Sequence, residues 1–146
     1  MDVYLPCFYS FIACMAVCLV FNVRGKLIFF TSLGGAIGWF VYLLCRPLQN
    51  DIVQFFIATV VITIYSEVMA RIRRCPVTGY LQVALLPLVP GAGIYYTMQY
   101  CVEGETQLFL STLLHTFGFA AALSVGAMLA TSVLRTLLPR LHWGGR

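Results

Sequence analysis

Along this chain, five long apolar runs alternate with short polar breaks. The runs cover residues 4–21, 27–44, 52–70, 81–101 and 107–134. A bilayer core about 30 Å thick takes about 20 apolar residues of helix. Each run is close to that length or longer, which no ordinary soluble core helix requires. The breaks, at 22–26, 45–51, 71–80 and 102–106, each hold charge, Gly or Pro, the composition of a turn at a membrane surface. The pattern predicts an all-α integral membrane protein of about five transmembrane helices in a single transmembrane domain, residues 1–146. Short breaks make consecutive helices antiparallel neighbours.

Composition agrees. Apolar types make up 61% of the 146 residues and charged types 10%, against roughly half and a quarter in soluble domains. Mean hydropathy is +0.91. Too little polar surface is present to cover a water-soluble fold of this size. Asp2 is the only charge before Arg24, so the first run lacks the basic start of a cleavable signal and is expected to stay as a helix.

The placement of the +4 net charge matters more than its size. Arg24, Lys26, Arg71, Arg73, Arg74, Arg135, Arg140 and Arg146 fall in the first, third and last polar segments. Only Arg46 falls in the others, while Asp2, Asp51, Glu103 and Glu105 all do. The positive-inside rule then places the N-terminus outside and the C-terminus in the cytoplasm, which requires an odd number of spans. Arg71, Arg73 and Arg74 form the densest anchor, suited to anionic membrane lipids.

Four features bear on chemistry. The fourth run contains Pro87-Leu88-Val89-Pro90-Gly91-Ala92-Gly93 near its middle. Two interior prolines remove backbone hydrogen bonds and clash with the preceding turn, so this span is expected to break. Broken backbone at that depth is tolerated where protein buries it or a wet cavity adjoins it, as at transporter substrate sites. A simple proline kink with a packing role is the alternative. In the third run, Thr59, Thr63, Ser66 and Glu67 make a polar stripe, with Gln54 nearby. Glu67 is the only acidic residue within a run. It reads either as a coupling site or as an i,i+4 ion-pair partner of Arg71. In the fifth run, Gly118, Ala122, Gly126 and Ala130 recur every four residues, and Gly34 and Gly38 share that spacing in the second. Such strips let helices approach closely, within the chain or with another copy. His115 lies one turn before the strip and reads as a packing residue or a second coupling candidate. The six cysteines form no metal-ligand pattern. No phosphate loop, nucleophile elbow or metalloprotease helix is present, so neither an enzyme, a cofactor nor nucleic-acid binding is expected.

These residues also resemble a known family. Phe21-Asn22-Val23, Gly34-Gly35 with Gly38 and Trp39, Ser66-Glu67-Val68-Met69-Ala70-Arg71, and Pro76 followed by Leu86-Pro87-Leu88-Val89-Pro90-Gly91, Tyr95 and Met98 are similar to the small subunit of the threonine/serine exporter family. That group also holds two-component succinate exporters. The resemblance spans nearly the whole chain. It implies a separate large subunit as partner and export of a small hydrophilic metabolite, an amino acid or a dicarboxylate, coupled to protons at the cell (inner) membrane. It implies a substrate path at the broken span, through Pro87, Pro90, Gly91 and Tyr95. The polar third span adds Thr63 and Ser66, with Glu67 and His115 as coupling candidates. A scaffold that stabilises another membrane protein without transporting anything is the competing reading, and a homo-oligomer fits either.

Overall fold

The computed structural model describes residues 4–23, 25–46, 50–73 and 76–137. All regular structure among them is helical: α1 (Tyr4–Val20), α2 (Leu27–Leu44), α3 (Asp51–Arg73), α4 (Val77–Leu85), a 3₁₀ turn (Leu86–Leu88), α5 (Gly91–Glu103) and α6 (Thr106–Leu137). α2, α3 and α6 are each long and apolar enough to span a bilayer. α4 with its 3₁₀ turn, together with α5, passes as one span bent by 53°. α1, with 17 residues, is at the short end of the spanning range.

Glycines set the directions of packing. A Cβ on Gly34 would lie 2.9 Å from Tyr65 Cε1, and one on Gly38 would collide with Ile62 Cδ1. The ring of Tyr42 packs on Phe55 further along, so α2 and α3 are antiparallel. A Cβ on Gly118 would lie 3.0 Å from Ile52, and one on Gly126 would lie 3.3 Å from Thr59. Residue numbers rise together in that second pair of contacts, so α3 and α6 run in the same direction. α3 therefore ends, at Arg73, at the opposite end of the bundle from the start of α6 at Thr106. The chain between them has to traverse the bundle. Hence α4 and α5 are two halves of a crossing rather than a loop that returns to its own side. With α1, the count comes to the five crossings that the apolar runs predict.

These directions also sort the charges. Lys26, Arg71, Arg73 and Arg135 gather at one end, and Asp51, Glu103 and Glu105 at the other, with Arg46 the one described cation among them. Arg71 and Arg73 occupy the last turn of α3, where the helix dipole favours cations. Arg73 is further held over the Phe30 ring of α2, 4.2 Å from its centroid.

Helix ends differ from the sequence pattern by up to four residues, and two of the differences lie in the third polar break. The third helix continues past Ala70 to Arg73, because nothing in Arg71-Ile72-Arg73 breaks a helix and long basic side chains reach out of the apolar zone. The fourth segment begins at Val77, since Pro76 supplies the extended N-cap that starts a helix. The turn between α5 and α6 is closed by Gly104 in the left-handed conformation, with φ 77° and its N–H on the Tyr100 carbonyl.

Candidate functional site

The break lies at half depth. Leu88, in the 3₁₀ turn, would meet a Cβ on Gly38 at 3.3 Å, and the same Gly38 faces Ile62, the middle residue of α3. The two prolines act differently. Pro87 sits in the first turn of the 3₁₀ helix, where its missing N–H costs little, and Leu86 before it stays helical with φ −55° and ψ −40°. Pro90 forces its predecessor out of the helical region, leaving Val89 extended at φ −62° and ψ 128°. Pro90 itself caps α5 with ψ 58°. The first backbone bond of α5 runs from Ile94 N–H to the Pro90 carbonyl at 3.2 Å, while Gly91 N–H turns back to the Val89 carbonyl at 2.7 Å. The amides of Ala92 and Gly93 precede that first helical bond, as the opening donors of any helix do. Gly91 and Ala92 are exposed at the bundle surface, and a Cβ on Gly91 would meet nothing within 4 Å. Polar backbone exposed at this depth is incompatible with lipid on that side.

The halves have different neighbours. α4 packs among α1, α2 and α3, whereas α5 packs chiefly on α6. Thus Pro87 lies beside Gly35 in the bundle, Pro90 is half-buried, and Tyr95 stands exposed on the outer side of α5. Tyr95, Tyr96 and Tyr100 form a run of ring contacts along that helix.

The polar stripe of α3 points inward. Gln54, Thr59, Thr63, Ser66 and Glu67 are all buried. Thr59 donates to the Phe55 carbonyl at 2.7 Å and Thr63 to the Thr59 carbonyl at 2.8 Å, so those hydroxyls are used within their own helix. Ser66 Oγ and Glu67 Oε1 have no hydrogen-bond partner among the described residues. The other carboxylate oxygen of Glu67 lies 3.7 Å from Arg71 Nη2, a loose pair whose cation is 30% exposed and whose anion is 4% exposed. The two parts of the expected path thus occupy separate surroundings: Thr63 and Ser66 inside the bundle, Gly91 and Tyr95 on its surface.

His115 is exposed and packs edge-on to Phe119 at 4.5 Å. Phe119 continues through Phe55 and Tyr42 to Trp39, a train of rings that ties α6, α3 and α2 together. Gly126 is buried against Phe56 and Thr59 of α3, and Ala122, one turn earlier in α6, is buried as well. Arg74 lies outside the described residues. Sequence reasoning missed Tyr65, whose hydroxyl donates to the Phe30 carbonyl at 2.7 Å across α2 and α3, and Cys14, whose thiol reaches the Val83 carbonyl at 3.5 Å. The small residues opposite each, Gly34 and Gly35, were the available signals.

The family model described as Threonine/Serine exporter, ThrE matches residues 6–133. The chain belongs to the threonine/serine exporter family. This exporter-family protein is therefore a multi-pass membrane protein of a transporter family, and the broken crossing lies entirely inside the matched region. No curated protein and no solved structure matches it.

Burial of Glu67 gives an asymmetric expectation. Glu67→Gln removes only a loose pair and is expected to cost less than about 1 kcal/mol. Arg71→Met leaves a buried carboxylate without its cation and is expected to cost about 3 kcal/mol. Unfolding of the two variants in the same detergent would check this, and equal costs would contradict it.

Proposed function

We propose that this chain is one membrane subunit of a secondary exporter of small hydrophilic metabolites, threonine and serine or a dicarboxylate such as succinate. In this reading it works with a large partner subunit of the same family in the cell (inner) membrane, its N-terminus outside and its C-terminus cytoplasmic. The observation that carries it is the start of α5: polar backbone at half depth, exposed on the surface of the bundle. Such a surface needs a protein partner or a water-filled path beside it. A partner that encloses Gly91, Ala92 and Tyr95 makes both, with the positive end of α5 facing the path. Family membership and charge segregation support the direction of the reading. Export without an ATP-binding motif calls for an ion gradient, and a buried Glu67 with one unpartnered oxygen suits proton coupling better than an exposed His115.

An efflux assay tests this. Cells lacking their own exporters are loaded with labelled threonine, serine or succinate and express this chain alone or with a large-subunit homologue. The expected result is efflux of one of these only when both chains are present. Glu67→Gln is then expected to abolish export while leaving the folded protein intact. No efflux of any of the three, with both chains correctly inserted, would overturn the reading in favour of a scaffold.

A further inference from the structure

α5 differs from the other helices in how it is held. Ser10 Oγ donates to the Gly35 carbonyl at 3.2 Å and Cys14 Sγ to the Val83 carbonyl at 3.5 Å, which ties α1 to α2 and to α4. The Tyr65 hydroxyl ties α3 to α2, and the rings of Phe55 and Phe119 tie α3 to α6. Among the described residues no such tie reaches α5. Its side chains bond or stack within the helix: Thr97 donates to the Gly93 carbonyl at 2.7 Å, Gln99 to the Glu103 carboxylate at 2.8 Å, and Tyr96 stacks with Tyr95 and Tyr100. Of its 13 residues only Thr97 is buried. Where α5 meets α6, Thr116 spends its hydroxyl on the Thr112 carbonyl, again within one helix. Parting α5 from α6 therefore breaks no side-chain hydrogen bond among the described residues.

Both ends of α5 also lie next to non-helical backbone. On the half-depth side Val89 is extended and Pro90 has ψ 58°. On the other side Gly104 is left-handed at φ 77°, and Glu105 belongs to neither helix. A few residues of this kind are enough to absorb the dihedral changes of a moving element. Beside the contact of α5 with α6 lies a recess of about 560 Å³, walled by Leu85, Ile94, Met98, Leu113 and Ala120 among others. Packed interiors hold few voids larger than a water molecule, so this flank leaves α5 room to move sideways. α4 is held in the opposite way: its Tyr80, Val83 and Ala84 are buried among α1, α2 and α3. The break thus joins a fixed half-helix to a loosely held one. The loose half runs from half depth to the end of the bundle that carries Glu103 and Glu105. We propose that α5 is a gate for that half of the membrane. It swings across α6 into the recess, hinged at the Gly104 turn and tethered by Val89 and Pro90. The swing carries Gly91 and Ala92 with it, and so opens and closes the passage beside them. This rests on the exporter reading above, in which that end faces outward. The seated position has Gly93 against Thr116.

That contact gives the test. A Cβ on Gly93 would lie 3.4 Å from Thr116 Cβ, next to the spacing of about 3.5–4.5 Å found in disulfides. Gly93→Cys with Thr116→Cys therefore latches the gate where it sits, near its moving end. In cells that also express the large-subunit homologue, the reduced pair is expected to export. Oxidation is expected to lower efflux by at least about tenfold, and reductant to restore it. Gly35→Cys is the control. Its Cβ would lie 3.5 Å from that of the native Cys14, so oxidation locks α1 to α2 in the fixed part and is expected to leave efflux unchanged. Full efflux from a completely crosslinked Gly93–Thr116 pair would overturn the gate. A second measurement needs no transport. Spin labels at Tyr95→Cys on α5 and Phe40→Cys on α2, both exposed positions, are placed in a chain whose Cys7, Cys45, Cys75 and Cys101 are Ser. Two distances are expected in bilayers, against one when α5 is fixed. A single narrow distance, both with and without the partner, would overturn the gate even if the reduced pair proves inactive. Two distances in a chain that exports nothing would uphold the moving helix and count against the exporter reading alone.

Discussion

Gly38→Val is expected to prevent α2 from seating against the bundle, with a loss of about 3 kcal/mol, the upper end of what overpacking costs. Three elements converge on this position. A Cβ there would collide with Ile62 Cδ1 of α3 and come within 3.3 Å of Leu88 in the 3₁₀ turn. Ile62 and Leu88 are both fully buried, so neither side chain has free space to swing into. In lipid the consequence is sharper than in water. Helices there associate through close packing rather than through the hydrophobic effect, so a lost fit has no other force to replace it. Reversible unfolding in mixed micelles measures the loss. Gly79→Ala is the control: nothing lies within 4 Å of its Cβ, so it is expected to be neutral or to gain up to about 1 kcal/mol in helix propensity. The partner substitution sharpens the test. Ile62→Ala alone is expected to cost about 2 kcal/mol or more through its cavity. Combined with Gly38→Val it is expected to cost clearly less than the two losses added together, since the new methyls fill the space that Ile62 vacates. Strict additivity would show that the two residues do not meet.

How much of this was legible beforehand depends on the kind of signal. The crossings were, because a bilayer demands length and apolarity and the chain states both without tertiary help. The break was, because Pro90 acts through its own ring on Val89, a local effect that needs no neighbour. The inward direction of Thr59, Thr63, Ser66 and Glu67 followed from helical arithmetic. What each stripe meets did not. Gly118 and Gly126 gave no sign of choosing α3, in parallel, over another copy of the chain, because a small residue specifies closeness and not identity. The end of α3 and the start of α4 were misplaced because Arg71, Ile72 and Arg73 are compatible with both helix and loop, and because Pro76 fits a loop as well as the cap of the next helix.

The second large effect concerns that bend. Replacing both Pro87 and Pro90 by Ala restores two backbone donors and lets Val89 return to helical angles. α4 and α5 would then join into one straight helix. α5 has 13 residues, about 19 Å at the helical rise. Removing a 53° bend displaces its far end by roughly 17 Å on that length. No sliding of side chains absorbs such a shift, so α5 leaves α6, and the exposed amides at half depth are lost into the ladder. Efflux by the variant with its partner is expected to fall by at least about tenfold, a barrier increase of about 1.4 kcal/mol or more. Insertion, read from the accessibility of tags at the two ends, is expected to be unchanged, because a continuous apolar helix inserts at least as well as a broken one. The single variants separate the prolines. Pro87→Ala leaves Val89 extended before Pro90 and is expected to retain most activity, whereas Pro90→Ala alone is expected to reproduce most of the loss. Full efflux from the doubly substituted protein would mean that the path does not run along the exposed start of α5. The inward-facing stretch of α3 from Thr63 to Glu67 would then be the place to look for it.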